Sequence, residues 1–569
     1  MIDAGAMNGT RFARRPYLKH YALAVAPART ELPRPAAASR TGLGERGGVT
    51  FGTAGYAVGV CVPKSGGVAM QWICRFRWRS SAAAIVALAF FWFGFTPLGA
   101  VAGTTACNFY ASPSGGGSGT TSGSPTTLSN AQNMAQSAPF NQSSRVICLE
   151  TGTYNLGANL SFTSADTDET YIPYSGEWSA TIDGGSVHYV QSVNASNFSI
   201  YGIIWQNLAT NTNGSGDDID FTGGSNIIFR WNKFPNCYKT CVGYDGTTNS
   251  VIDSNTILGS YGYTGCSGNC ISIYSWDGSL TSGNVVGHNA ISGCGVGAIG
   301  VSTGPTNGDI VNTSVTENLL TNNCTQSVDA SGGNSCNGFT TAEGDEGAIY
   351  MGETGPHTLT NTGNSITYNK VLGCGNANQS TSCVYLDAGG SNVDVGGNIC
   401  GPSVGYTNGS QSGVFQIGGV LLHGGQNNIV HNNVIPAGPG VTTSNFTSLF
   451  GDSTNLLVGT FYQTNAGGFG TNSGMGGNVY DCNLFYSFGN WPSPVFLVEI
   501  SGQSGPVASR DNFNSANSST PSNIGVTDTS DTFIDPGFAN PTAGDYTPST
   551  PPSCWVSIPS GQGPVTYAP

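Results

Sequence analysis

Val251-Ile252-Asp253-Ser254-Asn255-Thr256-Ile257 sets alternating apolar residues before an asparagine and another apolar residue after it. The pattern recurs at Ile228 to Phe234 around Asn232 and at Val285 to Ile291 around Asn289, and continues at Asn318, Asn369, Asn398, Asn432 and Asn478. Counted from Asn207, the steps are 25, 23, 34, 29, 51, 29, 34 and 46 residues. The shortest approximate one coil of a solenoid, and the longer ones require loops inserted at a corner. An asparagine stacked at the same corner of every coil can hydrogen-bond to the coils above and below. That satisfies buried polar groups which would each cost about 1–3 kcal/mol if left unpaired. On this reading the asparagines are a structural ladder and not a reactive set.

A second strand lies upstream of each asparagine. Examples are Cys241 to Tyr244, Ile271 to Tyr274, Ala298 to Val301, Ala348 to Met351, Val384 to Leu386 and Val420 to Leu422, with Gly, Ser and Asn clusters as the intervening turns. Period-two alternation turns one set of side chains inward and the other onto an exposed sheet face.

The composition agrees with an unusual β-rich solenoid: 84 Gly in 569 residues and only 9% charged residues, against roughly 25% in ordinary globular chains. Charge is divided along the chain. Twelve of the 18 Lys and Arg precede residue 103, and the remainder of the chain holds 6 bases against 29 acids, a net charge of −23. Such a surface repels phosphate, which excludes nucleic acid and anionic membranes as partners. Met70 opens a stretch with Arg75, Arg77 and Arg79, then an apolar run from Ala82 to Phe95, then Ala100-Val101-Ala102. These are the three regions of a secretory signal peptide, and 14 apolar residues fall short of the about 20 that span a bilayer. The expected organisation is therefore a non-structural extension over 1–69, a signal peptide over 70–102 and one domain over 103–569. The domain is expected outside the cell or in a periplasm, as a monomer.

Fourteen of the 16 cysteines lie beyond the leader, an even number suited to full pairing in an oxidising compartment. Local pairs such as Cys324–Cys336 and Cys374–Cys383 are the simplest expectation. Cys237, Cys241, Cys266 and Cys270 have a spacing that could hold zinc, but export favours disulfides.

The ends of the exported chain carry a resemblance. Phe109 to Gly115, Ser124 to Leu128 and Val146 to Tyr154 resemble the opening cap of the pectate-lyase-like superfamily of right-handed parallel β-helices, and Asp535 to Asn540 with Gly544-Asp545-Tyr546 resembles its closing segment. The resemblance implies an all-β, single-stranded right-handed parallel β-helix with a short capping helix near Asn130 to Ala135. Within it, Asp345-Glu346-Gly347-Ala348-Ile349-Tyr350 and Tyr385-Leu386-Asp387 resemble segments of secreted β-helix glycoside hydrolases, where the two acids form the catalytic pair. Carried over, these are Asp345 and Asp387. Glu346 stands where a small residue is usual, which leaves the choice between Asp345 and Glu346 open.

Strand register adds a third candidate. If Ile349, Met351, Val384 and Leu386 point inward, Tyr350 stacks on Tyr385 and Gly352 is level with Asp387. Glu346 then lies roughly 20 Å back along the strand at 3.3 Å per residue. Paired carboxyls should stand about 5–9.5 Å apart, so either the chain bends or Glu353 is the partner. His423 of the next coil falls level with Asp387 and could orient it. Tyr350, Tyr385 and Trp276 are candidate sugar platforms, and Tyr244 and Tyr274 lie near the same face. The run Asp217-Asp218-Ile219-Asp220 reads as an exposed loop or casual cation site. No cofactor is required, and Ca²⁺ is the ion the acids could take. Three functions fit: hydrolysis of a neutral polysaccharide by a carboxylate pair, a lyase or uronan epimerase, or a non-catalytic carbohydrate-binding solenoid. Lyases and epimerases commonly use Lys or Arg on a polyanionic substrate, which the net charge opposes.

Overall fold

The computed structural model describes Ala57–Lys64, Gln71–Trp78 and 106–567, except 210–216, 238–239, 260–268, 276–277, 295–296, 304–307, 324–346, 354–362, 377–378, 388–389, 402–416, 424–425, 438–460, 464–476, 488–496, 500–525, 529–531 and 534–535. Two compact units divide at Pro97. In the first, Ala57–Lys64 and Gln71–Trp78 pair as an antiparallel hairpin, and the apolar run 82–95 lies outside the described residues.

The second unit is a right-handed parallel β-helix. Each coil contributes one strand to each of three stacks. The coil that carries Asn255 places Thr240–Asp245 in sheet III, Val251–Asp253 in sheet I and Thr256–Leu258 in sheet II. The next coil repeats this with Ile271–Ser275, Val285–Gly287 and Ala290–Ser292, every pairing parallel and in register. Parallel strands joined by crossovers are right-handed in nearly all sheets. Sheet I has 13 strands among the described residues. The helix Leu128–Gln136 covers the first coil, with Thr127 as its N-cap. Arg145 fastens that cap: it is fully buried and donates to the carbonyls of Ala135, Ala165 and Thr167. Glu169 lies 3.3 Å from its guanidinium. Burial pushes the Glu169 carboxyl up to about 8, so the cluster's cohesion rests on the carbonyl contacts more than on charge.

In every coil from Asn232 to Asn483, sheets I and II meet at a two-residue corner. Its first residue is left-handed, from Trp231 (φ 56°) through Ser254, His288, Glu317, Tyr368, Gly397 and Asn432 to Cys482 (φ 57°). Its second is the ladder asparagine, in the order Asn232, Asn255, Asn289, Asn318, Asn369, Asn398, Asn433 and Asn483. The side-chain oxygen of Asn232 accepts the backbone N–H of Ile203, and each later one accepts the backbone N–H of the asparagine one coil earlier, at 2.8 to 3.1 Å. Each Nδ2 from Asn255 to Asn433 donates to the next side-chain oxygen and to a sheet I carbonyl of the coil before, as Asn318 does to Asn369 and Val286.

Three expected rungs are corrected. Asn432 is the left-handed corner residue and its neighbour Asn433 is the rung. Asn478 opens a sheet I strand and belongs to a second, interrupted ladder with Ser250, Asn284, Asn364 and Asn428, whose oxygens accept backbone N–H groups at that strand's start. Asn207 sits in a left-handed turn beyond sheet II, donating to Asp183 at 3.1 Å.

Inside, the early coils are filled by rings (Phe162, Tyr171, Phe198, Phe221, Phe229, Tyr244) and the later ones by Ile, Val and Leu. The disulfides are Cys107–Cys148, Cys237–Cys241, Cys270–Cys294, Cys383–Cys400 and Cys482–Cys554. They overturn the expected Cys374–Cys383 pair, because Cys383 bonds Cys400, and they agree with disulfides over zinc at Cys237, Cys241 and Cys270. Cys266, Cys324 and Cys336 lie outside the described residues. The chain end runs back along the solenoid from the Cys554 bond. Val556 N–H reaches Asn432, Gly563 N–H reaches the Glu317 carbonyl, and Val565 pairs with Ser254 and Trp231. Tyr546, Trp555 and Ile558 pack on Ile399, Val434 and Leu484 of sheet II.

Asn318→Ala would leave the N–H of Asn289 and the carbonyl of Val286 unpaired in the core. Loss of one such buried partner costs about 1–3 kcal/mol, and the unfolding midpoint in denaturant should fall accordingly. Asn236→Ala, in an exposed contact with Asn207, should stay within about 0.5 kcal/mol of the parent.

Candidate active site

In the coils from Asn232 to Asn483, two corners accept insertions and the corner between sheets I and II does not. The long connections, such as 324–346 and 438–460 between sheets II and III or 354–362 and 500–525 between sheets III and I, all flank sheet III. The later strands of sheet II are covered by the chain end. The outer face of sheet III is therefore the face with the long connections at both edges, where long insertions in a compact fold are most often functional.

Its described strands carry Asp217, Asp218, Asp220, Asp245, Glu353, Asp387, Glu499 and His423, and no Lys or Arg. Alternation decides which of these face out. Ile349, Met351, Val384 and Leu386 fill the core, so Tyr350, Gly352, Tyr385 and Asp387 lie on the opposite side of their strands. The register sets Tyr350 beside Tyr385 and Gly352 beside Asp387, as the alternation predicted. The two rings meet edge to face with centroids 5.5 Å apart.

Both hydroxyls go to Asp387. Tyr350 Oη donates to Oδ2 at 2.7 Å and Tyr385 Oη to Oδ1 at 3.0 Å. Tyr385 is fully buried and Tyr350 half-buried, so Tyr385 acts on the carboxylate and offers no open sugar platform. Gly352 makes room for the other ring, since a Cβ there would stand 2.5 Å from Tyr350 Oη. In the following coil Leu422 pairs with Leu386, which carries His423 level with Asp387.

Other expected members are not brought together on the same footing. Asp345, Glu346 and Trp276 lie outside the described residues, as do the side chains of Glu353 and His423. The backbone of Glu353 comes directly after Gly352 and pairs with Thr303. Tyr244 points into the core, donating to the Val251 carbonyl at 3.1 Å. The Asp217–Asp220 run is a buried part of the strand Asp217–Thr222 and not an exposed loop, with Asp217, Asp218 and Asp220 at 0%, 1% and 4% exposure. Gly243 admits the Asp217 carboxylate, which a Cβ would overlap. Burial, with Asp217 close by, pushes the Tyr274 hydroxyl far above its ordinary value. Among the described residues no three His, Cys, Asp or Glu side chains are grouped as a metal site.

Sheet I carries a separate charge network that the sequence pattern did not reveal. Arg230 Nε lies 2.5 Å from Asp253 Oδ2, and His288 bridges Asp253 (2.9 Å) and Glu317 (2.8 Å) through its two ring nitrogens. His431, lying over Gly396, meets Asp394 at 2.8 Å. The hydrogen bonds to Asp253 and Asp394 raise the two imidazoles above their ordinary value. A group raised on folding adds stability that is fully present below its unfolded value, about 6.5 for His, and that is lost as pH climbs through the folded value. Thermal unfolding should therefore occur at higher temperature at pH 5.5 than at pH 8.5. The doubly substituted His288→Gln, His431→Gln chain should show a smaller difference, and the part that remains is the share of Glu169, whose raised carboxyl loses stabilisation over the same range.

No family model matches the chain, and no curated protein matches it by sequence. Solved structures similar to it include the catalytic domain of a GH87 alpha-1,3-glucanase in complex with tetrasaccharides, 14% identical over 70% of this chain and 69% of that one, TM-score 0.34. A rhamnogalacturonan lyase is 12% identical over 80% and 99% of the two chains, TM-score 0.29. The A-module of an Azotobacter vinelandii mannuronan C-5 epimerase is 12% identical over 71% and 94%, TM-score 0.27. Likeness at these levels assigns no activity to this chain, whose own register and hydrogen bonds establish the parallel β-helix.

Proposed function

We propose that this chain is an exported glycoside hydrolase acting on a neutral polysaccharide, with Asp387 as one member of its carboxylate pair. The observation that carries the reading is a single carboxylate gripped through both oxygens by tyrosines of two successive coils, on the face flanked by the insertions. That is the orientation a reacting carboxylate needs, since a misplacement of even about 1 Å is costly to catalysis. The absence of Lys and Arg from the described sheet III strands favours hydrolysis over uronan elimination or epimerisation, where a cation would have to meet the substrate's carboxylate. Asp345, Glu346 and Glu353 are the candidates for the second acid, His423 for orienting Asp387, and Tyr350 and Trp276 for sugar contact.

Reducing-sugar release on a panel of neutral and acidic glycans tests the reading. Asp387→Asn should lower cleavage by a factor of roughly 10² to 10⁴, the worth of a positioned proton-transfer group, with little change in stability. Wild-type cleavage by Asp387→Asn would misplace the site, and a parent inert on the whole panel would favour a binding solenoid.

Export belongs to the same proposal and is supported by five disulfides among the described residues. Protein recovered from a secreting host should begin within a few residues of Gly103 on N-terminal sequencing. An exported chain retaining residues 1–69 would refute the leader.

A further inference from the structure

Tyr385 is fully buried, so its hydroxyl must find an acceptor inside the protein. Tyr350 is half-buried and under no such compulsion. Its ring nevertheless lies along its own strand across Gly352, the residue level with Asp387, where any other side chain would block it. The result is two O–H donors on opposite oxygens of one carboxylate. Hydrogen bonds to the charged form favour it over the protonated form.

We propose that Tyr350 and Tyr385 are positioning residues that keep Asp387 ionised, so that it is the base of the carboxylate pair and never the acid, and that Gly352 is required because it gives the Tyr350 ring its path. The catalytic half of this inference rests on the hydrolase reading; the clamp rests on geometry alone. In the hydrolytic step Asp387 accepts a proton from water as the water oxygen bonds to the anomeric carbon. The glycosidic oxygen leaves with that bond's electron pair and takes its proton from the second acid. The proton donor is then one of Asp345, Glu346 and Glu353.

The test reads the proton on Asp387 directly. The disulfide-intact protein is treated with a water-soluble carbodiimide and an amine across a pH series, and amidation at Asp387 is measured by peptide mass spectrometry, because only the protonated carboxyl activates. Tyr350→Phe should raise the amidation midpoint by about one pH unit, a tenfold change in the proton affinity, as expected for loss of one hydrogen bond to a charged group. Gly352→Ala keeps both tyrosines but displaces the Tyr350 hydroxyl, and should give a similar rise. The double variant should rise no further than either single one, since all three remove the same contact. On a cleaved glycan, the acid limb of kcat/KM should move upward with the amidation midpoint, whereas a merely structural role would lower kcat/KM at every pH alike. An unchanged midpoint in Tyr350→Phe overturns the clamp, and additive shifts in the double variant overturn the role of Gly352. If Gly352→Ala does not fold, Tyr350→Phe alone decides the clamp. A parent that shows the expected midpoints but cleaves no glycan removes the hydrolase reading and leaves the clamp standing.

Discussion

Everything in this solenoid depends on a side-chain amide placed at the tightest bend of the coil. A two-residue corner between sheets I and II requires a left-handed residue, which for a non-glycine side chain costs roughly 1–2 kcal/mol, and it turns backbone N–H and C=O groups toward a dry interior. The ladder asparagine answers both groups at once: its oxygen takes the N–H of the corner one coil back, and its Nδ2 reaches a strand carbonyl of the same earlier coil. Because the same amide also bonds the next asparagine, each corner is satisfied only when its neighbours are in place. Residues as unlike as Trp231, His288, Glu317 and Cys482 share the left-handed position, as they can if the ladder and not the corner residue sets the geometry.

Where the ladder runs, a corner held at two residues fixes where the chain can vary. The insertions go to the other two corners, so both edges of sheet III acquire loops while the bend between sheets I and II stays short. The chain end then lies over sheet II, held by Cys482–Cys554 and by packing of Tyr546 above Gly401. Sheet I fills its outer face with ion pairs between successive coils. Sheet III keeps polar side chains on its outer face between the long connections, and Asp387, half-buried, lies among them.

How much of this was legible depended on distance along the chain. The ladder and the strand pairs were readable because their signal is local, an asparagine between apolar residues, and the Tyr350–Tyr385 and Gly352–Asp387 levels came from alternation alone. The errors arose where the local signal was double. Asn432-Asn433 offers two asparagines at one corner, and Asn478 and Asn483 sit at the two ends of one short strand. Cysteine partners failed for the opposite reason: Cys383 and Cys400 are 17 residues apart and Cys482 and Cys554 are 72 apart, and only the winding brings them together. The charge network on sheet I was hidden in the same way, since Asp253, His288 and Glu317 come from three successive coils. Nothing in the sequence revealed that both tyrosine hydroxyls converge on Asp387, because that depends on the slant of two rings and on the missing side chain of Gly352.

The ladder and the candidate site are physically one problem. Asp387 meets Tyr350 only because Gly352 is its register partner, and that register is set by the rungs Asn318, Asn369 and Asn398 that fix the height of the two coils. A slip of one residue between those strands would turn Asp387 inward and present Leu386 or Val384 to solvent, since strand side chains alternate with a period of two. The inward-facing apolar residues of the stacked strands oppose such a slip along the whole solenoid, far more strongly than two hydrogen bonds at one carboxylate could. The scaffold thus supplies the precision, and the site needs only to place a donor, a glycine and an acid on adjacent steps. A solenoid so built can lengthen its flanking loops freely while the acid stays where the ladder puts it.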